Sequence, residues 1–561
     1  MPSICVTVAS NTNQSQKAPL LVPASATAGP EDTTSIRALV FKVARSKLRL
    51  KRPARVFVGG IGRELVSEQD WKANINNNIV LLVSSGEDYV GAETESSIHV
   101  DLHPDCPIEV LASNAQTDSL SIAQLTTTAH TLPGIVHAVG QPDLHPGTKF
   151  PIGAVFASKR WIHPPLIGGD IGCGMAWYKT TLSRSQLDSD KGKRVADRLR
   201  GLEGQWKTQA HRELWLQNDQ DSFAAGKQWD VSLGTIGAGN HFAELQVVEK
   251  SSLIDTEHVT LRQDDVILLV HSGSRGLGGT VLQKYTAGFQ VSLEDTSPEA
   301  IAYLNEHNKA CQWAQANRDL IALRFLSCLE PGNEDWYLGT SDATSDTDAD
   351  VTAIEQTKKK LQQRKVVDIW HNNVERVKWP PSPPSSVAKE TCSTPELPEP
   401  TSNLALDENI PQKEQEYVYM HRKGAAPTYV PESHQPLSIL PLPGSRGTPT
   451  LILEPTFSEA TGWGLKNALS LAHGAGRAMS RAKALSSLSQ KYKGQNLLEP
   501  RCSDAEGTWV ICDEKDLVFE EAPDAYKDVE AVGRDLVDAG VANVVGWCSA
   551  RVSYKVRNEV R

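Results

Sequence analysis

DDVILLVHSGSRGLG, residues Asp264 to Gly278, sets five consecutive apolar residues, Val266 to Val270, between a charged start and a Gly/Ser turn. A run that short and that uniformly apolar reads as a buried strand, with His271 at its carboxyl end. Strand ends are where functional groups gather in folds that mix sheets and helices, because the loop beyond them is free to carry chemistry. His271 is therefore a candidate site residue held on a rigid element.

Neighbouring stretches repeat this pattern. LGTIGAGNHFAELQVVE (Leu233–Glu249) is a glycine-rich turn running into an apolar segment that carries Asn240, His241 and Glu244. On a strand Asn240 and Glu244 point to one side and His241 to the other, so one element can serve two adjoining subsites. The plainer alternative is a core histidine satisfied by its surroundings, which leaves the adjacent Asn and Glu without a reason in so apolar a run. In GGDIGCGMAWY (Gly168–Tyr178), glycines around Asp170 and Cys173 let the backbone turn tightly and bring a carboxylate and a thiolate toward one point. VVDIWHNNVE (Val366–Glu375) adds His371 and Asn372 at an element end. Together these residues offer one carboxylate, one thiolate and three imidazoles, enough for two cations that share the sulfur. Thiolate and imidazole favour zinc or a late first-row metal, and oxygen donors from a phosphate admit manganese. Spacing alone leaves their convergence open.

Three further stretches suit phosphate. HRKGAAP (His421–Pro427) sets two cations before a glycine, and LPLPGSRGTPTLILEPT (Leu440–Thr456) is a Pro-Gly-Ser turn entering a strand. Backbone N–H groups exposed in such turns can cradle an anion, although an ordinary surface turn has the same composition. LAHGAGRAMSR (Leu471–Arg481) places His473 ahead of Gly474, Ala475 and Gly476, so a bulky ligand can reach the imidazole and Arg477 can neutralise a phosphate beside it. An imidazole nitrogen attacking an activated phosphorus gives a labile phosphoramidate. The alternative is a structural histidine in a glycine turn.

The 561 residues, 39% of them apolar, can bury a large core and more than one folding unit. Lys and Arg number 57 against 68 Asp and Glu, a formal net charge of -11, so no global basic field draws in a polyanion. A nucleic acid must meet a local patch. ARSKLRLKRPAR (Ala44–Arg55) is the candidate, and a solvated face is its plainer reading. Nine cysteines without CxxC pairs argue against a disulfide scaffold or a zinc finger and for a reducing compartment. The opening residues lack a basic stretch followed by a long apolar one, and no later stretch has bilayer-spanning length. The expectation is an intracellular protein, cytoplasmic or nuclear, with no membrane anchor.

Residues 1–34 are expected to be a flexible terminus. From 35 to 95, IRALVFKVARSKLRL, ARVFVGG and NIVLLVSSGEDYVG alternate like strands around a short polar helix, SEQDWKANI, which predicts a small β-grasp-like module, similar to ubiquitin or doublecortin units and able to take a protein partner. The rest, 105–561, reads as one dense core. Segments at about 339–360 and 379–415 are too poor in apolar residues to order themselves and are expected as low-complexity insertions.

In order along the chain, QPDLHPGTKFPIGAVFAS, GGDIGCGM, GTIGAGNHFAELQ, HSGSRGLG, HNNVE, HRKGA, PGSRGT and HGAGRAMSR resemble the motifs of the RtcB RNA ligases, over about Leu111 to Lys555. Each is modest alone; all eight in order are specific. The resemblance implies an α+β core of packed β-sheets flanked by helices. It also implies GTP-dependent joining of an RNA 3′-phosphate or 2′,3′-cyclic phosphate to a 5′-hydroxyl, with two Mn²⁺ ions. By that resemblance Asp170, Cys173 and His241 hold one Mn²⁺, Cys173, His271 and His371 hold the other, and His473 is the guanylylated nucleophile. Asn240, Asn372 and the Pro443-Gly444-Ser445-Arg446 turn surround the nucleotide, with Glu244, Ser445 and Lys555 on the guanine side and Tyr526 stacking. Phe242, Ala243, Thr450, Gly474, Ala475 and Gly476 complete the GTP pocket beside His241 and His371.

Some positions depart from the family pattern. Six residues follow Lys555 where the common pattern ends at Lys-Gly, Thr450 replaces a frequent serine, and Arg446 stands where the main branch has Met. Arg446, with LPGIVHAVGQPDLHPG and HRKGAAP, makes the chain similar to a second branch found in some bacteria beside a release-factor homolog, where repair of damaged RNA is an alternative to tRNA splicing. Two other readings use the same residues: a binuclear metal-dependent RNA-end phosphoesterase that needs no GTP, and a catalytically silent RNA-binding scaffold.

Overall fold

The computed structural model describes residues 4–14, 16–23, 35–59, 62–75, 79–90, 102–218, 221–252, 261–286, 292–336, 347–384, 416–430, 435–500 and 507–556. No helix among them is long and apolar enough to cross a membrane. The chain divides into two compact units, Met1–Val100 with Ala287–Gln290, and Asp101–Thr286 with Val291–Arg561.

In the first unit, β1 (Ile4–Ser10) and β2 (Lys17–Val22) form a hairpin, followed by α1 (Ile36–Ser46), β3 (Arg55–Val58), α2 (Glu68–Asn74) and β4 (Val80–Ser84). The sheet order is β2-β1-β4-β3, with β1 and β4 parallel at its centre. Two expectations fail here. The segment from Ile36 is a helix, not a strand: Ser35 accepts a hydrogen bond from the Ala38 N–H, and Ile36, Val40 and Ala44, four residues apart, face the core. The first 34 residues are not merely a flexible tail either, since Val6, Val8, Ala18, Leu20 and Val22 alternate into the same core. The unit is a four-stranded sheet with α1 and α2 on its connections, and its described strands begin some thirty residues earlier than expected.

Two sheets dominate the second unit. The larger, of eight strands among the described residues, runs β13 (Lys365–Trp370), β9 (Gly174–Ser183), β11 (Asp265–Ser272), β10 (Phe242–Ser251), β21 (Ala542–Lys555), β18 (Thr450–Pro455), β17 (Leu440–Pro443), with β20 (Trp509–Cys512) parallel to β21. The second runs β14 (Asn372–Trp379), β15 (Glu416–Lys423), β7 (Ile152–Ser158), β6 (Ile135–His145), β5 (Ile108–Val110). Two short ribbons complete the set, β8 (Trp161–Ile162) with β12 (Leu293–Glu294) and β16 (Ala425–Pro427) with β19 (Ser470–Ala472).

The unbroken apolar run of β11 now has its reason. Ile267 and Leu269, with Met175 and Trp177 of β9, pack against Val155, Ala157, Val418 and Met420 of the second sheet. Leu268 and Val270, with Ala176 and Tyr178, pack against Trp313, Leu320 and Ile321 of the helix Pro298–Leu329. A strand covered on both faces cannot alternate with polar residues. The architecture is α+β, packed sheets flanked by helices.

Of the segment expected as an insertion at 339–360, the structure describes the part from residue 347. Its residues from 347 lie in the helix Thr347–Arg364, which buries Ile354, Thr357 and Leu361 against the outer core. Three small or apolar residues spaced three and four apart give a charged segment one adhesive stripe, enough to dock it. Residues 339–346 and 385–415 lie outside the described residues.

Candidate metal and nucleotide site

His371 is the single residue between β13 and β14, so the chain leaves one sheet and enters the other at that point. Its N–H donates to the Cys173 carbonyl at 2.8 Å, tying the crossover to the Asp170–Cys173 turn. His271 is the penultimate residue of β11, and His241 immediately precedes β10. Four separate stretches thus deliver five donors to one place. Cys173 Sγ lies 3.3 Å from both His241 Nε2 and His271 Nε2, His271 Nε2 lies 3.3 Å from His371 Nε2, and His241 Nε2 lies 3.0 Å from Asp170 Oδ2. Two overlapping trios result, Asp170-Cys173-His241 and Cys173-His271-His371, each with its donor atoms within 4.8 Å of one another.

Burial holds the His271 and His371 rings well below the ordinary histidine range, so both are neutral donors. Burial, reinforced by Asp170, pushes the Cys173 thiol well up. Burial also pushes the Asp170 carboxyl upward, but the adjoining His241 outweighs it and the carboxyl stays below its usual range. A soft sulfur, three imidazoles and one carboxylate, arranged as two trios sharing the sulfur, fit a pair of first-row divalent cations.

His473 follows β19 directly, and its ring centroid is 4.6 Å from that of His371 and 6.4 Å from that of His271. His473 Nδ1 is 2.7 Å from Oδ2 of the fully buried Asp143 on β6. A carboxylate can only accept there, so Nδ1 is the nitrogen that donates, which leaves Nε2 as the nitrogen that offers a lone pair in the neutral ring. The glycine run is explained by contact: a Cβ on Gly476 would sit 2.4 Å from the Asp143 carbonyl oxygen.

Beside His473 opens a cavity of about 190 Å³. Asn240 lines it just ahead of β10, Phe242 and Glu244 from β10, Pro443, Gly444, Ser445 and Arg446 from the end of β17 and the turn after it, and Lys555 and Ser553 from β21; Gly474, Ala475, Gly476 and Tyr526 also face it. Glu244 accepts from the Ser553 hydroxyl at 2.8 Å and from Gln246 at 3.0 Å, and its burial raises its pKa. Under the wall, Glu521 gathers Arg477 at 3.1 Å, Lys555 at 3.4 Å and the Tyr526 hydroxyl.

Several expected pocket residues sit elsewhere. Ala243 alternates away from the cavity into the outer core. Thr450 lies behind the wall and accepts from Gln246 at 2.9 Å. Asn372 braces backbone, accepting from the Gly424 N–H at 2.8 Å and donating to the Asp170 carbonyl at 3.1 Å. In HRKGAAP, Arg422 is buried on Glu375 and Tyr429, each at 2.8 Å, while Lys423 Nζ donates to the Ile167 carbonyl at 2.9 Å and Gly424 lies against the His473 ring. Arg477 is likewise engaged, on Glu521 and over the Tyr526 ring. Conversely, Asp143, Glu521 and His145 escaped the sequence reading, although a lone acid within a buried strand is a signal that could have marked Asp143.

The family model described as tRNA-splicing ligase RtcB matches residues 124–213, 202–376 and 388–556. The RNA-splicing ligase RtcB2 of Escherichia coli is 34% identical over 441 residues, 78% of this chain and 92% of that protein. The tRNA-splicing ligase RtcB of Thermococcus kodakarensis is 27% identical over 492 residues, 74% of this chain and 86% of that protein. With motifs, donor trios and matched length in agreement, the chain belongs to the RtcB family.

Proposed function

We propose that this protein is an RNA ligase that joins a 3′-phosphate or 2′,3′-cyclic phosphate end to a 5′-hydroxyl, using GTP and a guanylylated His473. The observation that carries the reading is the Asp143–His473 pair opening on the cavity beside the donor trios. Asp143 fixes the tautomer, so the Nε2 lone pair attacks the α-phosphorus of GTP; an N–P bond forms, the bond to the bridging oxygen breaks, and pyrophosphate leaves. An oxygen of the RNA 3′-phosphate then displaces the imidazole and takes the guanylate. The 5′-hydroxyl attacks that activated phosphate, loses its proton, and expels GMP as the phosphodiester forms. Mn²⁺ ions held by Asp170, Cys173, His241, His271 and His371 would neutralise phosphate charge and activate the water that opens a cyclic end. Within the chain, buried Glu244 can accept from a guanine edge, Lys555 and Arg481 offset phosphate charge, and Tyr526 offers a ring to the base.

The test is incubation with GTP radiolabelled at its α-phosphate, then with an RNA pair bearing 3′-phosphate and 5′-hydroxyl ends. Labelled protein and joined RNA are expected, and His473→Ala loses both. Label retained by that variant removes His473 as the nucleophile, and phosphate release without GTP or joining would make the protein a phosphoesterase. The relatives' names point to splicing, and comparing a tRNA half pair with a nicked stem-loop as substrates separates splicing from repair.

A further inference from the structure

Between Asp32 and Glu64 the chain carries nine Lys and Arg and no acid, within a protein of net charge -11. Six of these cations, Lys42, Arg45, Lys47, Arg49, Lys51 and Arg52, lie exposed on the C-terminal half of α1 and the segment after it. Leu48 is buried and Leu50 half-buried, so the alternating KLRLKR stretch is anchored by its leucines and turns its cations outward. The turn is further fixed by Leu50 N–H donating to the Ala44 carbonyl and by Gln16 donating to the Leu48 carbonyl, each at 3.0 Å. Among the described residues none of the six is in an ion pair; nearby acids are spent elsewhere, Glu64 and Asp88 on Arg55, and Asp70 on Arg63.

Arg49 adds an independent sign. Its φ of 55° is in the left-handed region, where glycine is relaxed and a branched-out side chain is strained. A helix end that only needed to turn would take glycine. Here the backbone bears the strain and keeps a cation. The helix dipole accounts for Arg45 in the last turn but not for the cations beyond it.

We propose that this surface of the N-terminal unit binds the phosphodiester backbone of single-stranded RNA, as an auxiliary grip separate from the catalytic cavity; the choice of RNA rests on the ligase reading above. An anionic membrane is the weaker fit, because a membrane-surface element sets apolar side chains beside its cations, and here Leu48, Leu50 and Pro53 turn inward.

The test uses the full chain and a fluorescent single-stranded RNA with a 3′-phosphate, titrated between about 50 and 200 mM salt. Changing all six cations to Gln should flatten the slope of log affinity against log salt by about 4, and Arg49→Gly alone by about 0.7, from roughly 0.7 per phosphate contact. Arg49→Gly should also melt no lower than the wild type, since it relieves the left-handed strain. Labelling of His473 by GTP without RNA, run in parallel, should be unchanged in both variants. An unchanged salt slope in a folded six-residue variant overturns the proposal, and so does wild-type binding to phosphatidylserine vesicles that the variant loses while RNA affinity stays put. Failure of GTP labelling in the wild type would overturn the ligase reading instead, leaving the salt slopes to judge the patch.

Discussion

Around the Cys173 sulfur, three imidazoles and a carboxylate crowd together as lone pairs facing lone pairs. Across His473, by contrast, the buried acid Glu521 is ringed by Arg477, Lys555 and Tyr526, so that every charge there already has a partner. The Nε2 atoms of His241 and His271 face the Cys173 sulfur and those of His271 and His371 face each other, each at 3.3 Å, whereas the cavity's acids Glu244 and Glu521 both accept from several donors. A buried set of unpaired donors is costly unless a cation sits among them. A satisfied network costs little at rest and need only exchange partners when a ligand enters. The donor cluster should therefore respond to change all at once, and the cavity by degrees.

Cys173→Ala is the severest break of that contrast, since both trios share this sulfur. Ligation and GTP labelling are expected to vanish, and metal analysis should find both ions lost, not one. Chelation of the wild type should lower its melting temperature and Mn²⁺ should restore it, a response the variant lacks, because an ion bound only by the folded state stabilises it. Loss of a single ion would show that the sulfur does not bridge.

Asp143→Asn acts between the two regions. The amide can present either a donor or an acceptor to His473 Nδ1, so the imidazole loses its fixed tautomer while metal content stays whole. By analogy with acid-to-amide changes behind other catalytic histidines, labelling should fall by about 10²–10⁴-fold. An Asn variant that labels at the wild-type rate would reduce Asp143 to a packing residue.

Glu521→Gln should damage the cavity's frame more than its chemistry. Burial alone would push this carboxyl up, yet Lys555 and Arg477 hold it below the usual glutamate range. A depressed acid contributes stability that is full above its unfolded pKa, about 4.3, and is lost as pH falls toward the lower folded value. Removing its charge leaves buried cations unmatched, and the cost should be about 3 kcal/mol, seen as a lower melting temperature and a flatter acid limb of the pH–stability curve. KM for GTP should rise with kcat moved less.

What the sequence disclosed follows the same division. The five residues of the donor cluster were legible because His241, His271 and His371 interrupt or end apolar runs, where a polar residue needs a partner, and Asp170 and Cys173 sit among glycines that turn the chain tightly. Asp143 was not, since QPDLHP, with its two prolines, looks like a surface turn, while β6 in fact continues through it with every residue from His137 to His145 buried. Glu521 hid in LVFEEAPDA, where two adjacent acids suggest solvent. The misread helix α1 carries apolar residues that suit either a period of two or of four; the Ser35 cap is a local sign of helix, while the strands β1 and β2 that it packs on are distant in sequence.

Arg446 gives the mildest and most discriminating change. It donates to the Val518 carbonyl, its other terminal nitrogen Nη1 is buried without a partner, and burial lowers its pKa. Arg446→Met, the residue resembling the family's main branch, removes one unmatched donor, frees one carbonyl and keeps most of the apolar volume, so gain and loss are each about 1 kcal/mol and nearly cancel. Melting temperature should hold, and labelling by GTP should change by less than about tenfold, mainly in KM, because the charge lines the cavity without touching His473 or the donor trios. If instead labelling collapsed in a stable variant, the cavity would depend on one indispensable charge as the cluster depends on Cys173, and the contrast between a matched frame and an unmatched donor set would be lost.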